Sequence, residues 1–408
     1  MNRIWSILFF IILLGCKNEY VPENKIKEDV EFLSSDELEG RQTGTEAELK
    51  AADYIAKRFK ALGLTPKGTD GYLQQFSFKP KTDPHQEVNY TVMGNDSTIT
   101  GTNVIGFLDN NAPNTVVIGA HYDHLGYGAE GSLYRGNQKA IHNGADDNAS
   151  GVAVMLNLAG KLKNTNKDNN YLFMAFSGEE MGLLGSNYFT KNPTLGIKSI
   201  NYMLNMDMVG RLKEDQTLAV YGIGTSPILK QVVNANSHTL KIVENESGVG
   251  PSDHTSFYNA EIPVLHFFTG QHEDYHKPSD DFEHLNYQGM ALISTYIFDI
   301  ISDLNDNGKL LFRKTKNESE DVPRFKVGLG VIPDYLFDGK GMRIDGISEG
   351  KPAEKAGLQK GDIVVKLGDS LVSDMMSYMR ALSSFKEGDK VQVIVKRNDK
   401  DIEAQIEF

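Results

Sequence analysis

Two hydrophobic rhythms run along the chain. Ala52, Ile55, Phe59 and Leu62 recur three or four residues apart, as on one face of a helix, and Gly63 stands where such a helix stops. Residues 115–120 form a continuous apolar run, the pattern of a strand buried on both faces. From there the two kinds of segment alternate. Residues 151–162, 182–189, 227–235 and 287–304 read as helices, and 171–176, 199–206 and 262–267 as strands. Alternating strands and helices predict an α/β fold, a three-layer α/β/α sandwich around a mixed, mostly parallel twisted sheet. The interval 71–114 is too short for an inserted domain and predicts a small β excursion.

The two ends break this pattern. Met-Asn-Arg is followed by an almost wholly apolar run from Ile4 to Leu14, about half the ~20 residues a membrane-spanning helix needs. A basic start and a short apolar core are the marks of an export signal. The run ends Leu13-Leu14-Gly15-Cys16, which resembles a bacterial lipobox. That resemblance implies cleavage before Cys16, lipidation of its thiol, and a membrane anchor that does not span the bilayer. The expected localisation is therefore export, with attachment to the periplasmic or cell-surface face of a bacterial membrane. Residues 1–16 are then the signal and 17–25 a polar tether. Residues 26–310 carry the main fold. The charged, aperiodic stretch 311–322 reads as a linker, and 323–408 as a second, small domain.

Composition removes several classes. Of 408 residues, 40% are hydrophobic and 24% charged, the balance of a globular protein. The net charge of -13 leaves no basic surplus for nucleic acid. The last 86 residues are balanced, with 14 basic and 14 acidic side chains, so the surplus lies in the main fold. A single cysteine excludes an intrachain disulfide and a cysteine-based zinc site, so a metal would need histidine and carboxylate ligands.

Such residues gather in five short segments: Gly119-Ala-His121-Tyr-Asp123-His124, Asn143-Gly-Ala-Asp146-Asp147-Asn-Ala-Ser-Gly151, Ser177-Gly-Glu179-Glu180, Asn205-Met-Asp207, and Tyr275-His276-Lys-Pro-Ser-Asp280. Singly, a Glu-Glu pair suits a solvated surface and Asp-Asp-Asn a helix N-cap. Together they follow strands or open helices, and in open α/β sheets sites form outside the carboxyl ends of strands. Histidines and carboxylates converging there suit zinc or a similar divalent ion, and a shared carboxylate would permit two ions.

The order and wording of these segments resemble the secreted bacterial dizinc aminopeptidases, relatives of glutamate carboxypeptidase and of the glutaminyl cyclases, over residues 26–304. The resemblance implies a zinc-exopeptidase fold and two zinc ions per chain. It implies that Asp146 bridges them, that His121 and Asp207 complete one site, and that Glu180 and His276 complete the other. Glu179 would be the general base toward a metal-bridged water. Asp123 would orient His121, and Asp147, Asp253 and His254 would stand behind the metals or against substrate. The extra histidines His124, His142 and His272 have no implied role. His272 competes in principle with His276, whose Tyr-His-x-Pro-x-Asp context favours it.

The C-terminal region opens Phe325-Lys-Val-Gly328-Leu329-Gly330 and continues through Lys360-Gly-Asp362-Ile-Val-Val. It resembles the small α+β PDZ domains of bacterial periplasmic proteases. Gly328, Leu329 and Gly330 would be the loop that receives a peptide carboxylate, and residues 374–382 the helix walling its groove. The expected function is a membrane-anchored zinc aminopeptidase acting on peptide or protein N-termini, with a possible C-terminal peptide partner at the PDZ groove. A glutaminyl cyclase-like acyltransferase, a carboxypeptidase, and a peptide-binding lipoprotein without activity are the alternatives.

Overall fold

Strands with side chains buried on both faces build the centre of the molecule. The computed structural model describes residues 22–80, 90–91, 98–316, 326–337, 339–348 and 350–408; Cys16, Trp5 and the tether up to residue 21 lie outside them. In chain order the main fold comprises α1 (Pro22–Leu33), α2 (Glu46–Leu62), β1 (Thr65–Pro66), β2 (Leu73–Phe78), β3 (Tyr90–Thr91), β4 (Ile99–Leu108) and β5 (Thr115–His121). It continues through α3 (Gly151–Leu162), β6 (Asn170–Phe176), α4 (Leu184–Lys191), β7 (Ile200–Met206), β8 (Thr217–Tyr221), α5 (Leu229–Ala235), β9 (Lys241–Asn245), α6 (His254–Asn259), β10 (Val264–Phe268) and α7 (Tyr287–Leu304).

These ten strands form one sheet in the order β3-β2-β4-β6-β5-β7-β10-β8-β9, with β1 beside β4. The four central strands β6, β5, β7 and β10 run parallel, and antiparallel β4 and β8 flank them. Every residue of β5, β6 and β7 is buried. Alternation sorts their side chains to two faces. Val116, Ile118 and Ala120 join a core with α1, α2, α3 and α7, whereas Val117 joins Leu172, Met174 and Phe176 beneath Phe189 of α4 and Phe257 of α6. That is the expected three-layer sandwich. The segment expected to be a small excursion instead extends the main sheet: β4 pairs β6 over five residues and is buried along most of its length.

Local signals set the helix ends. Thr45 accepts the amide of Glu48 at the start of α2, and Gly63, at φ 85°, closes it. Asn286 caps α7 through the amide of Gly289. Among the described residues no helix is long and apolar enough to cross a membrane.

The second domain has its own core. It comprises β11 (Val331–Pro333), β12 (Met342–Ile347), α8 (Pro352–Lys355), β13 (Ile363–Leu367), β14 (Ser370–Leu371), α9 (Met375–Leu382), β15 (Lys390–Arg397) and β16 (Lys400–Glu407). A capping box between Asp374 and Ser377 starts α9. Lys213 reaches Asp345 at 3.0 Å, and Tyr335 meets Phe268 edge-on, so this domain rests on the main fold near the end of β10. Residues 311–316, at the start of the predicted linker, are fastened to the main fold: Arg313 N–H donates to Thr225, and the Thr315 amide to the Tyr258 hydroxyl.

Candidate metal centre

Parallel strands deliver their C-terminal ends to one rim. His121 closes β5, Glu179 and Glu180 follow β6, and Asp207 follows β7. The remaining side chains come from the turn before α3, which supplies Asp147, and from the loop after β10, which supplies His276.

Asp147 is the shared carboxylate. Its Oδ1 lies 3.3 Å from His121 Nε2 and its Oδ2 3.3 Å from His276 Nε2. Asp207 Oδ1 completes the first group at 3.3 Å from His121 Nε2, and Glu180 Oε2 the second at 3.2 Å from His276 Nε2. The expected bridge, Asp146, is displaced from the centre by one residue. Gly144 takes a left-handed turn at φ 55°, and Asp147 and Asn148 leave helical geometry, so successive carboxylates point apart. Asp146 is turned away, where its Oδ1 accepts the Gly210 amide at 2.6 Å and its Oδ2 faces His272 at 3.2 Å. His272 thus belongs to Asp146, and His276 to the centre. The Asp147-Asn148 peptide is cis.

The tautomers suit ligation. His276 Nδ1 donates to the Gly131 carbonyl at 2.9 Å, and His121 Nδ1 to that of Asp123 at 3.2 Å. Each Nε2 therefore turns a lone pair toward carboxylate oxygens. Lone pairs facing lone pairs need a proton or a cation between them. For zinc bonds of about 2.0–2.2 Å, donors at two corners of a tetrahedron stand roughly 3.3–3.6 Å apart, the spacing seen here. The buried atoms His276 Nε2, Glu180 Oε1 and both ring nitrogens of His124 have no aligned hydrogen-bond partner, as a site built for a cation would leave them. Two sets, His121/Asp147/Asp207 and His124/Asp147/Glu180, each bring donor atoms within 4.8 Å of one another.

Charge makes the same demand. Burial opposes protonation of His276, yet Asp147 and Glu180 drive it to about 11. Burial and the negative charges of Asp207, Glu180 and Asp253 hold Glu179 well above the usual carboxylate range, against the pull of His121. Glu179 Oε2 stands 3.9 Å from His121 Nε2, beside the metal sets but outside both.

The other predicted residues sort by contact. Asp123 stands behind His121, taking the Glu179 amide on Oδ1 at 3.1 Å and the Thr43 hydroxyl on Oδ2 at 2.9 Å. Asp253 is fully buried near His121, with neither oxygen hydrogen-bonded, and burial pushes it up to about 7. His254 lies away from the centre, stacked on His266 at 4.4 Å and held neutral by burial. Ser252 accepts from Asn205 at 2.8 Å, which leaves no Ser-Asp-His relay. His142 bonds Ser132 outside the cluster. Tyr275 stacks on His276 at 3.8 Å.

His124 and Asp280 lie in the predicted segments without an assigned role, and Glu48 had no sequence signal. His124 Nδ1 lies 2.8 Å from Glu180 Oε1, and His124 joins Asp147 and Glu180 in the second set. Asp280 accepts the amides of Asp146 and Asp147. Glu48, fully buried, takes Gly44 N–H at 2.6 Å, Tyr122 at 3.2 Å and the Ser177 hydroxyl. A cleft of about 400 Å³ opens beside Thr43, His124, Glu180 and Met181.

Comparison with known proteins agrees with this geometry. Residues 103–301 match Peptidase family M28, and residues 309–408 a PDZ domain. The chain is 29% identical over 215 residues to the alkaline phosphatase isozyme conversion protein of Escherichia coli, covering 50% of this chain and 58% of that one. It is 28% identical over 226 residues to aminopeptidase YwaD of Bacillus subtilis, covering 52% and 46%. The chain thus spans about half the length of these relatives. A zinc aminopeptidase structure from Bacillus subtilis superposes with a TM-score of 0.55 at 19% identity, covering 72% of this chain and 96% of that one. At that identity the likeness shows the fold alone.

Proposed function

We propose that the protein is a zinc aminopeptidase that removes residues from peptide N-termini, a reading supported by the match of residues 103–301 to peptidase family M28 and of residues 309–408 to a PDZ domain. The observation that carries this reading is the position of Asp147, one oxygen toward His121 and the other toward His276, with Glu179 alongside. Two zinc ions fit these donors: His121 and Asp207 on one side, His276 and Glu180 on the other, Asp147 between. Zinc held there supplies Lewis acidity toward a carbonyl and lowers the pKa of water.

The chain's own groups do the rest. Glu179 takes the proton of the attacking water and returns it to the leaving amine. The Asp123–Glu179 amide contact fixes the backbone that carries it. Relatives named as aminopeptidases support the choice of substrate end.

Zinc content and hydrolysis of free-amino and N-blocked substrates, for wild type and Glu179→Gln, test this. We expect about two zinc ions in both proteins, with kcat roughly 10²–10⁴-fold lower in the variant. Zinc-free wild type, or cleavage of N-blocked substrates only, would overturn it.

Export and a lipid anchor on Cys16 belong to the same proposal, supported by the apolar run ending Leu13-Leu14-Gly15-Cys16. Cys16→Ser should move the protein from the membrane to the soluble fraction. The PDZ domain would take a peptide C-terminus at Gly328–Gly330, beside β11, the terminal strand of its sheet.

A further inference from the structure

Arg41 is the largest fully buried side chain of the main fold, and its hydrogen bonds go to backbone carbonyls. Nε donates to Tyr122 at 2.7 Å, Nη1 to Asn143 at 2.6 Å and to Leu33, and Nη2 to Gly144 at 3.0 Å. Four of the five guanidinium N–H groups are thus committed. The carbonyls come from three places: the end of α1, the residue between His121 and Asp123, and the turn three residues ahead of Asp147. Arg41 itself sits at φ 48°, and its own carbonyl accepts the amide of His124 at 3.3 Å. Two residues on, Thr43 holds Asp123.

We propose that Arg41 is a positioning residue of the metal centre. Its planar fork locks the loop that carries His121 and Asp123 to the turn that delivers Asp147, and so sets the spacing of those two donors. The acceptors Tyr122, Asn143 and Gly144 lie outside helix and strand, so Arg41 adds a direct side-chain tie between the end of β5 and the turn that carries Asp147. The inference rests on reading the cleft as a zinc centre.

The test compares wild type with Arg41→Lys, Arg41→Gln, Thr43→Val and Arg58→Gln. It reads zinc affinity by chelator competition, the melting temperature of zinc-free protein, and kcat and KM separately. Arg58 is the control for a merely structural arginine: it binds Asp29 at 2.7 Å, joining α2 to α1. Arg41→Lys keeps the charge and loses the fork. Zinc affinity should fall roughly 10–100-fold, the scale of losing a group that orients ligands, and kcat should fall with KM little changed. Thr43→Val, the milder arm if the Arg41 variants fail to fold, should weaken zinc about 10-fold. Arg58→Gln should lower the melting temperature and leave zinc affinity alone. Arg41→Lys and Thr43→Val that lower only the melting temperature, as Arg58→Gln does, would overturn the inference. A wild type that binds no zinc would overturn the proposed function instead.

Discussion

Asp146 and Asp147 are neighbours in the chain, His272 and His276 lie four residues apart in one loop, and the fold makes two Asp–His pairs from them. Asp146 meets His272 at 3.2 Å, and Asp147 meets His276 at 3.3 Å. Chemistry and separation are nearly the same, yet the surroundings differ. Asp146 is tied down by the Gly210 amide and backed by Asp280, with Arg211 within 3.8 Å of Asp280. One oxygen of that pair thus rests on a protein donor, and Arg211 stands behind it against Asp280. Asp147 faces a second histidine and lies among Glu179, Glu180 and Asp207. What separates the two pairs here is that Asp146 spends one oxygen on the Gly210 amide, whereas Asp147 turns one oxygen to each of two histidines.

The largest effect should come from setting the two aspartates against each other. Asp147→Asn should cost more zinc affinity than the roughly 100-fold of an outer change, and leave the protein short of two ions by elemental analysis. Asp146→Asn keeps an oxygen for Gly210 and should retain both ions, at a stability cost of about 1 kcal/mol by denaturant titration. A reversed result would break the comparison. Next, His276→Ala should lower zinc content while His272→Ala leaves it unchanged; equal losses would mean the two pairs share one role.

Glu48 sharpens the point, because both of its oxygens, unlike Asp146 Oδ2, are taken by protein donors. Burial pushes it up to about 7, although Ser177 and Gly44 pull the other way. Its folded pKa lies above its unfolded one, so the stability it contributes is present below about 4.5 and lost as pH rises through about 7. Urea midpoints of the wild type should fall across that window, and Glu48→Gln should lack the step. A pH-independent gap between the two proteins would assign Glu48 a plain packing role. The smallest effect is expected at the domain junction. Lys213→Ala breaks the pair with Asp345, which is partly exposed on the lysine side, and should cost less than about 1 kcal/mol.

Much of this was legible in the chain because the decisive signals are local. Residues 151–162 and 287–304 are helices at the predicted bounds, and the central strands lie within a residue or two of theirs. The five segments could be assigned to one rim because strand ends in a parallel sheet share it. The resemblance gave the bridge to Asp146 where the structure puts Asp147 between the histidines, since the choice depends on backbone angles after Gly144 rather than on residue type. The place of β2 and β4 in the main sheet escaped notice for a related reason. β2 and β4 are polar enough in places to read as loop, and their assignment to the main sheet follows from long-range pairing with β6. Arg41 and Glu48 were invisible because a lone Arg or Glu on a helical or loop pattern reads as surface. Only the packed structure shows each of them inside.

The stack of Tyr275 on His276 makes the centre optically readable. The chain's one tryptophan, Trp5, falls in the predicted signal, so protein starting at Cys16 emits and absorbs in the near ultraviolet through tyrosine and phenylalanine alone. A ring 3.8 Å from the His276 imidazole will sense the arrival of a divalent charge on that imidazole. Near-ultraviolet circular dichroism during a zinc titration, compared between wild type and Tyr275→Phe, therefore gives a label-free count of filling at the Glu180 side, free of any indole background.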